Sequence, residues 1–391
     1  MTEKITFFLI LVLFIPVLSA QTPGETILES YERNFIRSSL NTKVNVLSDA
    51  ALDEAAAEFY GPLCEIALNF VLNNASLFRD DPDILSITVA AVRGVGEYEH
   101  NRAVETLWQV FLRFPDKAIR YEILAVLPVL ETSSLTGKIH EFLIEQNHLY
   151  KSGISADSEL LLPLFSILGK TEDESSYQFL FESIGLYTGD LREEAVKALY
   201  EIDGNLFDFF LRVILEDQPP EKLSAFNLAL AWEGLSEEET GKMAEAALDL
   251  ALAVPGDRRS EILELAERSL FIIKETGWVR ALPQVLKYYN QSFTAFRSNI
   301  TQKHPLINAI NCLGNLKSAD AAQTLVLQLG LYNSRYAALQ AEENEVVLAL
   351  INALGQLGYK ASYDVLHYAS ILSYPDDITE AAQNALAKLK W

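Results

Sequence analysis

Five histidines, two cysteines and one acidic cluster are the side chains in this sequence that could hold a metal or move a proton. His100, His140, His148, His304 and His367 are scattered along the chain. No two of them have the HExxH spacing that sets paired imidazoles on one helix face, and none pairs with a cysteine at zinc spacing. His140 and His148 are eight residues apart, about two helical turns, which is too far for joint ligation. They read as surface or part-buried histidines. Asp80-Asp81-Pro82-Asp83 is acidic enough to attract calcium, but it lacks the glycine and distal glutamate of an EF-hand loop. A helix starting after Pro82 explains the same residues. Cys64 and Cys312 read as small buried hydrophobes. Glycine-rich phosphate loops and a GxSxG nucleophile turn are absent from the sequence. Glu237-Glu238-Glu239 and Glu342-Glu343 fit helix starts, where carboxylates meet the positive end of the dipole. No residue is singled out as catalytic, and no cofactor or metal is expected.

The remaining chemistry is recognition. Eight of the sixteen tyrosines lie in residues 281–391: Tyr288, Tyr289, Tyr332, Tyr336, Tyr359, Tyr363, Tyr368 and Tyr374. Phe293, Phe296, Arg297 and Arg335 lie among them. Tyrosine and arginine in a segment of low net charge are what protein interfaces collect. The alternative is that these tyrosines fill half-buried positions with their hydroxyls in water. The candidate partner-binding residues are Tyr288, Tyr289, Phe293, Phe296, Arg297, Tyr332, Arg335, Tyr336, Tyr368 and Tyr374.

The net charge is −23. Such a surface repels nucleic-acid phosphates and anionic membrane faces, so no nucleic-acid partner is expected. Residues 281–391 hold eight Lys/Arg and eight Asp/Glu, so residues 1–280 carry the whole −23. A partner of the N-terminal part should be neutral or basic.

Lys4 precedes an apolar run ending at Ala20, ITFFLILVLFIPVLSA. A charged start, a short apolar stretch and a small residue describe a secretory signal peptide over residues 1–20. The run is shorter than the ~20 residues a membrane span needs. The expectation is an exported protein, periplasmic or secreted, without stable membrane insertion after cleavage.

These residues must be positioned by the elements between them, and those elements repeat. Residues 311–325, NCLGNLKSADAAQTL, match residues 352–366, NALGQLGYKASYDVL, at an offset of 41 without a gap. Asn311/Asn352, Leu313/Leu354, Gly314/Gly355, Leu316/Leu357 and Leu325/Leu366 are identical pairs. The segment from Asn384, NALAKL, matches once more. Weaker copies run back through Val95-Gly96, Leu127-Pro128, Leu168-Gly169 and Ile202-Asp203, at spacings of 32 to 41 residues. Each reads as an apolar helix, a stop and a second apolar helix. Glycine at the stop suits a left-handed helix cap, and Ser236 or Asp320 suits the next helix start. Helix 61–75 is apolar on more than one face, with Leu63, Ile66, Ala67, Phe70 and Val71 on one side and Leu68 and Leu72 on the other. Such a helix is sandwiched between neighbours. The longer copies add residues after the second helix, in 146–158, 289–305 and 331–344, which read as loops on one edge of a stack. No region alternates as a strand does.

This pattern resembles HEAT-repeat and armadillo-type α-solenoid proteins, including the shorter bacterial HEAT-like kind, over residues 80–391. The resemblance implies an all-α, right-handed α-solenoid of about eight two-helix repeats (residues 79–391), with residues 21–78 as an N-terminal segment and helical cap. It also implies a non-enzymatic scaffold that binds a protein or peptide. It supplies no functional residue to carry over. An exported α/α-toroid enzyme, such as a carbohydrate-active hydrolase, is the competing expectation. In an extended stack, Cys64 and Cys312 lie too far apart for a disulfide.

Overall fold

The computed structural model describes residues 23–78, 81–253, 259–340 and 343–390. The expected signal segment, together with Asp80 and Glu342, lies outside them. The described residues are all-helical and contain no strand; one isolated bridge pairs Tyr359 with Lys390. The chain forms two compact units, residues 1–203 and 204–391.

Unit 1 contains α1 (Pro23–Arg37), α2 (Leu40–Leu52), α3 (Ala57–Phe78), α4 (Pro82–Glu97), α5 (Val104–Arg113), α6 (Lys117–Val126), α7 (Thr136–Lys151), α8 (Ser158–Gly169), α9 (Ser176–Leu186) and α10 (Asp190–Glu201). Its even helices pack in the row α2–α4–α6–α8–α10, with α1, α3 and α5 in a second row and α7 on α9. Helix α3 is buried on two sides, through Leu63, Ala67 and Val71 and through Cys64 and Leu68. Glu54–Ala75 is long and apolar enough to cross a membrane by length and composition. It carries Glu54, Glu58 and Glu65, and α3 packs on α1, α4 and α5.

Unit 2 contains α11 (Leu206–Glu216), α12 (Pro219–Ala231), α13 (Glu237–Ala251), α14 (Ser260–Thr276), α15 (Leu282–Arg297), α16 (His304–Asn315), α17 (Ala319–Ala337), α18 (Asn344–Leu357), α19 (Tyr363–Ile371) and α20 (Asp376–Ala387). Its even helices again form a row, α12–α14–α16–α18–α20. Its odd helices pack as α11–α13–α15 and α17–α19.

The glycines of the repeat act differently from the sequence expectation. Gly169, Gly314 and Gly355 lie inside the last turns of α8, α16 and α18, and none has a positive φ. They are contact points between helices. A Cβ on Gly314 would lie 2.9 Å from Ala353 Cβ, and one on Gly355 would lie 2.8 Å from Ala385 Cβ. In unit 1, a Cβ on Gly169 would lie 2.8 Å from Ala198 Cα. Removing the side chain lets the even-row backbones approach to touching distance. The left-handed caps fall to Gly277 (φ 62°) and Gly358 (φ 68°).

Helix starts follow the polar caps. Ser236 and Glu239 form a reciprocal capping box at α13. Ser318, rather than Asp320, caps α17. The Asp81 carboxylate caps α4 by accepting from the Asp83 N–H at 2.8 Å. Two lysines are buried because each closes the C-terminal end of the preceding helix. Lys222 Nζ donates to Ile214 O at 2.7 Å and Leu215 O at 2.8 Å. Lys43 Nζ donates to Phe35 O and Ile36 O. Both ammonium groups satisfy orphan carbonyls, and burial lowers both pKa values.

The extra residues of the long copies are helical for the most part. Helices α7 and α15 have 16 residues and α17 has 19, whereas α9 and α11 have 11 and α19 has nine. The expected edge loops are therefore additional helical turns, and Phe293, Phe296, Arg297 and Arg335 belong to helices. A helix that outgrows its neighbours must find its own packing partners, and this decides where the aromatic residues go.

Candidate functional site

Three of the ten candidate residues are core. Tyr289 is 2% exposed, Tyr332 1% and Tyr374 5%. They cannot meet a partner, and their assignment to an interface is corrected. Tyr289 stacks on Phe293 with centroids 6.3 Å apart. Its hydroxyl pKa is raised by burial and by nearby Tyr332. Tyr336 is half-buried; its ring stacks on Tyr374 at 3.9 Å and its hydroxyl donates to Ser373 O at 2.7 Å. Tyr288 is half-buried beside Ser292, with its hydroxyl pushed up to about 12 by burial and by the charge of Glu267. The physical reason is the helix extension. The added turns of α15 and α17 bury one face, and tyrosine fills a wide gap while keeping a polar tip. Phe293, Phe296 and Arg335 are half-buried, Arg297 is exposed, and Tyr368 is 41% exposed.

Tyr368 belongs to a surface that the sequence reading missed. On α17 the buried stripe is Ala321, Ala322, Leu325, Leu329, Tyr332 and Asn333. Leu327 and Leu331 sit off that stripe, 70% and 41% exposed. On α19 the buried residues are Leu366 and Ala369, while Tyr363, Tyr368 and Ile371 are 37%, 41% and 65% exposed. The two helices are held side by side. Asn333 Nδ2 donates to Val365 O at 2.9 Å. Their outer faces thus expose these five apolar side chains, together with Asp320, Gln323 and Ser334 on α17 and Asp364 and His367 on α19. The outer face of α13 instead exposes Glu238, Lys242 and Asp249, and that of α15 exposes Lys287, Asn290, Thr294 and Arg297. At 100° per residue, Leu327 and Leu331 fall opposite Leu325 and Leu329, a pattern that α3 shares with both faces buried, so only the neighbouring helices separate the two cases.

Among the described residues of unit 1, two histidines meet side chains of catalytic atom type: His100 Nε2 lies 2.6 Å from Glu65 Oε2, and His140 pairs with a serine. His140 Nε2 lies 2.9 Å from Ser176 Oγ, and the imidazole stacks on Phe179 at 4.0 Å. Ser176 is 0% and His140 6% exposed, so no substrate atom reaches the hydroxyl. Asp173, the nearby acid, is engaged with Ser175. The pair is a packed hydrogen bond between α7 and α9. Burial lowers the His140 pKa below its ordinary 6.5, opposed by Asp173. A neutral buried base binds fewer protons than the unfolded chain does. Stability is therefore expected to be full above about pH 7 and to decline as pH falls below the unfolded value of about 6.5. Urea midpoints measured at about pH 7.5 and about pH 5 check this. His140→Gln, which keeps a partner for Ser176, should flatten the difference; an unchanged slope would remove His140 as its source.

Cys64 and Cys312 are free and buried, with thiols pushed up to about 12 by burial. Among the described residues no cluster of three or more His, Cys, Asp or Glu is placed to hold a metal ion.

No protein-family model matches the chain, and no curated protein matches it. A solved structure, the crystal structure of an engineered protein, is similar at 14% identity and a TM-score of 0.35, covering 92% of this chain and 98% of that one.

Proposed function

We propose that each unit is a run of HEAT-type helix-pair repeats and that the protein is a non-enzymatic scaffold holding a protein partner on the outer face of α17 and α19. The repeat reading is supported by the 41-residue offset. The matched pair Gly314 and Gly355 occupies equivalent positions, each against an alanine of the next even helix. The binding reading is carried by one observation, the grouping of Leu327, Leu331, Tyr363, Tyr368 and Ile371 on the solvent side of two packed helices. Apolar side chains gathered on one face mark interaction surfaces far more than singly scattered ones do. The apolar N-terminal run supports export, to the periplasm or beyond the cell. A neutral or basic partner suits the acidic remainder of the surface.

The test replaces Leu327→Asp together with Ile371→Asp. Both sites are exposed, so thermal melting should stay within the usual surface range, about 0.5 kcal/mol. A partner recovered from the envelope fraction by crosslinking at Tyr368 should bind the purified wild-type chain and lose at least about tenfold in affinity for the variant. Equal affinity would remove this face as the site.

A further inference from the structure

The two units repeat each other in detail. His100 Nε2 lies 2.6 Å from Glu65 Oε2 in unit 1, and Trp278 Nε1 donates to Glu245 Oε2 at 2.7 Å in unit 2. Four residues before each glutamate, Gly61 and Gly241 face the same two side chains, which a Cβ there would meet. Helices α7 and α17 correspond residue by residue. Left-handed Gly153 and Leu339 follow them. The next N–H turns back alike in both, Ile154 to Leu149 O at 3.1 Å and Gln340 to Arg335 O at 3.0 Å. At that same offset, Ile139, Leu143 and Asn147 match Leu325, Leu329 and Asn333, all buried. Ser176 and Leu180 of α9 likewise match Ser362 and Leu366 of α19, all 0% exposed.

The inward positions agree and the outward ones do not. Where unit 2 exposes Leu327, Leu331, Tyr368 and Ile371, unit 1 exposes Glu141, Glu145, Glu182 and Gly185. Unit 1 has one exposed aliphatic side chain of its own on α7, Ile144, in the place of Gly330. Exposed Gln178 and buried Phe181 stand where α19 carries exposed Asp364 and His367. The same helix arrangement thus accepts a polar outer face, and packing does not account for the apolar one.

We infer that the α17–α19 face of unit 2 pairs with the same face of a second copy of this chain. This rests on the reading of that face as the binding site, and it names the occupant. A two-fold contact makes every residue pair twice. Asp364 and His367 lie about one turn apart on the exposed side of α19. An antiparallel approach of two α19 helices therefore sets each carboxylate opposite the other copy's imidazole. Tyr368 and Ile371 on α19, with Leu327 and Leu331 on α17, supply the apolar contact beside that pair. Charge selects the same part of the molecule. Residues 1–280 carry the whole −23 and residues 281–391 carry none of it, so two chains meeting here bring together their neutral segments. The matching face of unit 1 would set Glu141, Glu145 and Glu182 against their own copies, which like charge opposes.

The test is sedimentation equilibrium of the full chain over about a hundredfold range of concentration, which should show reversible monomer–dimer exchange. Leu327→Glu, Leu331→Glu, Tyr368→Glu and Ile371→Gly together install the unit 1 residues. This variant should keep its helix content by circular dichroism and raise the dissociation constant at least about tenfold. His367→Asp, a single exposed change, sets carboxylates opposite one another and should weaken the dimer about tenfold. Adding Asp364→His to it restores an acid opposite an imidazole and should recover most of the loss. A monomer at every concentration, a four-residue variant that dimerises like the wild type, or an exchanged pair no tighter than His367→Asp alone would overturn the inference. Capture at Tyr368 of a different envelope protein, lost with Leu327→Asp and Ile371→Asp, would keep the face as a binding site and remove the second copy from it.

Discussion

Tyr332→Ala lowers the stability of unit 2 by about 3–5 kcal/mol. The ring is 1% exposed and among the largest fully buried side chains of the protein. Its removal deletes an aromatic ring's worth of contacts and leaves a cavity beside Tyr289. The measurement is a urea or thermal transition of the full chain, followed by a probe in unit 2. Tyr368→Ala is the comparison. That ring is 41% exposed on α19, and its loss should stay within about 0.5 kcal/mol. Similar losses from the two substitutions would show that Tyr332 is not the packing residue described. An effect on partner capture from Tyr332→Ala would accordingly report unfolding rather than a lost contact.

Gly355→Ala destabilises unit 2 by up to about 2 kcal/mol net, although alanine is the better helix former. The added methyl carbon would meet Ala385 Cβ at 2.8 Å and Ala385 Cα at 3.0 Å, and both belong to a neighbouring helix that cannot rotate away. Overpacking of that kind costs about 1–3 kcal/mol, against a propensity gain of about 1 kcal/mol. Ala385→Gly in the same chain should recover most of the loss. Gly185→Ala supplies the opposite sign. Gly185 lies in α9 with nothing within 4 Å of its would-be methyl group, so the same change there should stabilise by up to about 1 kcal/mol. If both glycines respond alike, the close helix approach does not carry the contact.

Helix content was legible because it depends on neighbours in sequence. The apolar period of α16 and α18, the polar start at Ser236, and the match of residues 311–325 to 352–366 are local facts, whereas the start expected at Asp320 falls to Ser318. The glycines at 314 and 355 were found, but their role was misread. A glycine that ends a helix and one that lets two helices touch occupy the same place in a sequence; only the neighbouring alanine separates them. The added residues at 289–305 and 331–344 were located but taken for loops, because aromatic and polar residues mixed together follow no clear period.

By itself the sequence determined an all-helical chain, the charge difference between residues 1–280 and 281–391, and the apolar N-terminal run. Only the tertiary structure decided that Tyr289, Tyr332 and Tyr374 face inward while Leu327, Leu331 and Ile371 face out. Hydropathy says that a side chain gains by leaving water. Which of two opposite faces is granted that depends on where the next helix lies, and α15, α17 and α19 take those positions only once the extended turns have packed.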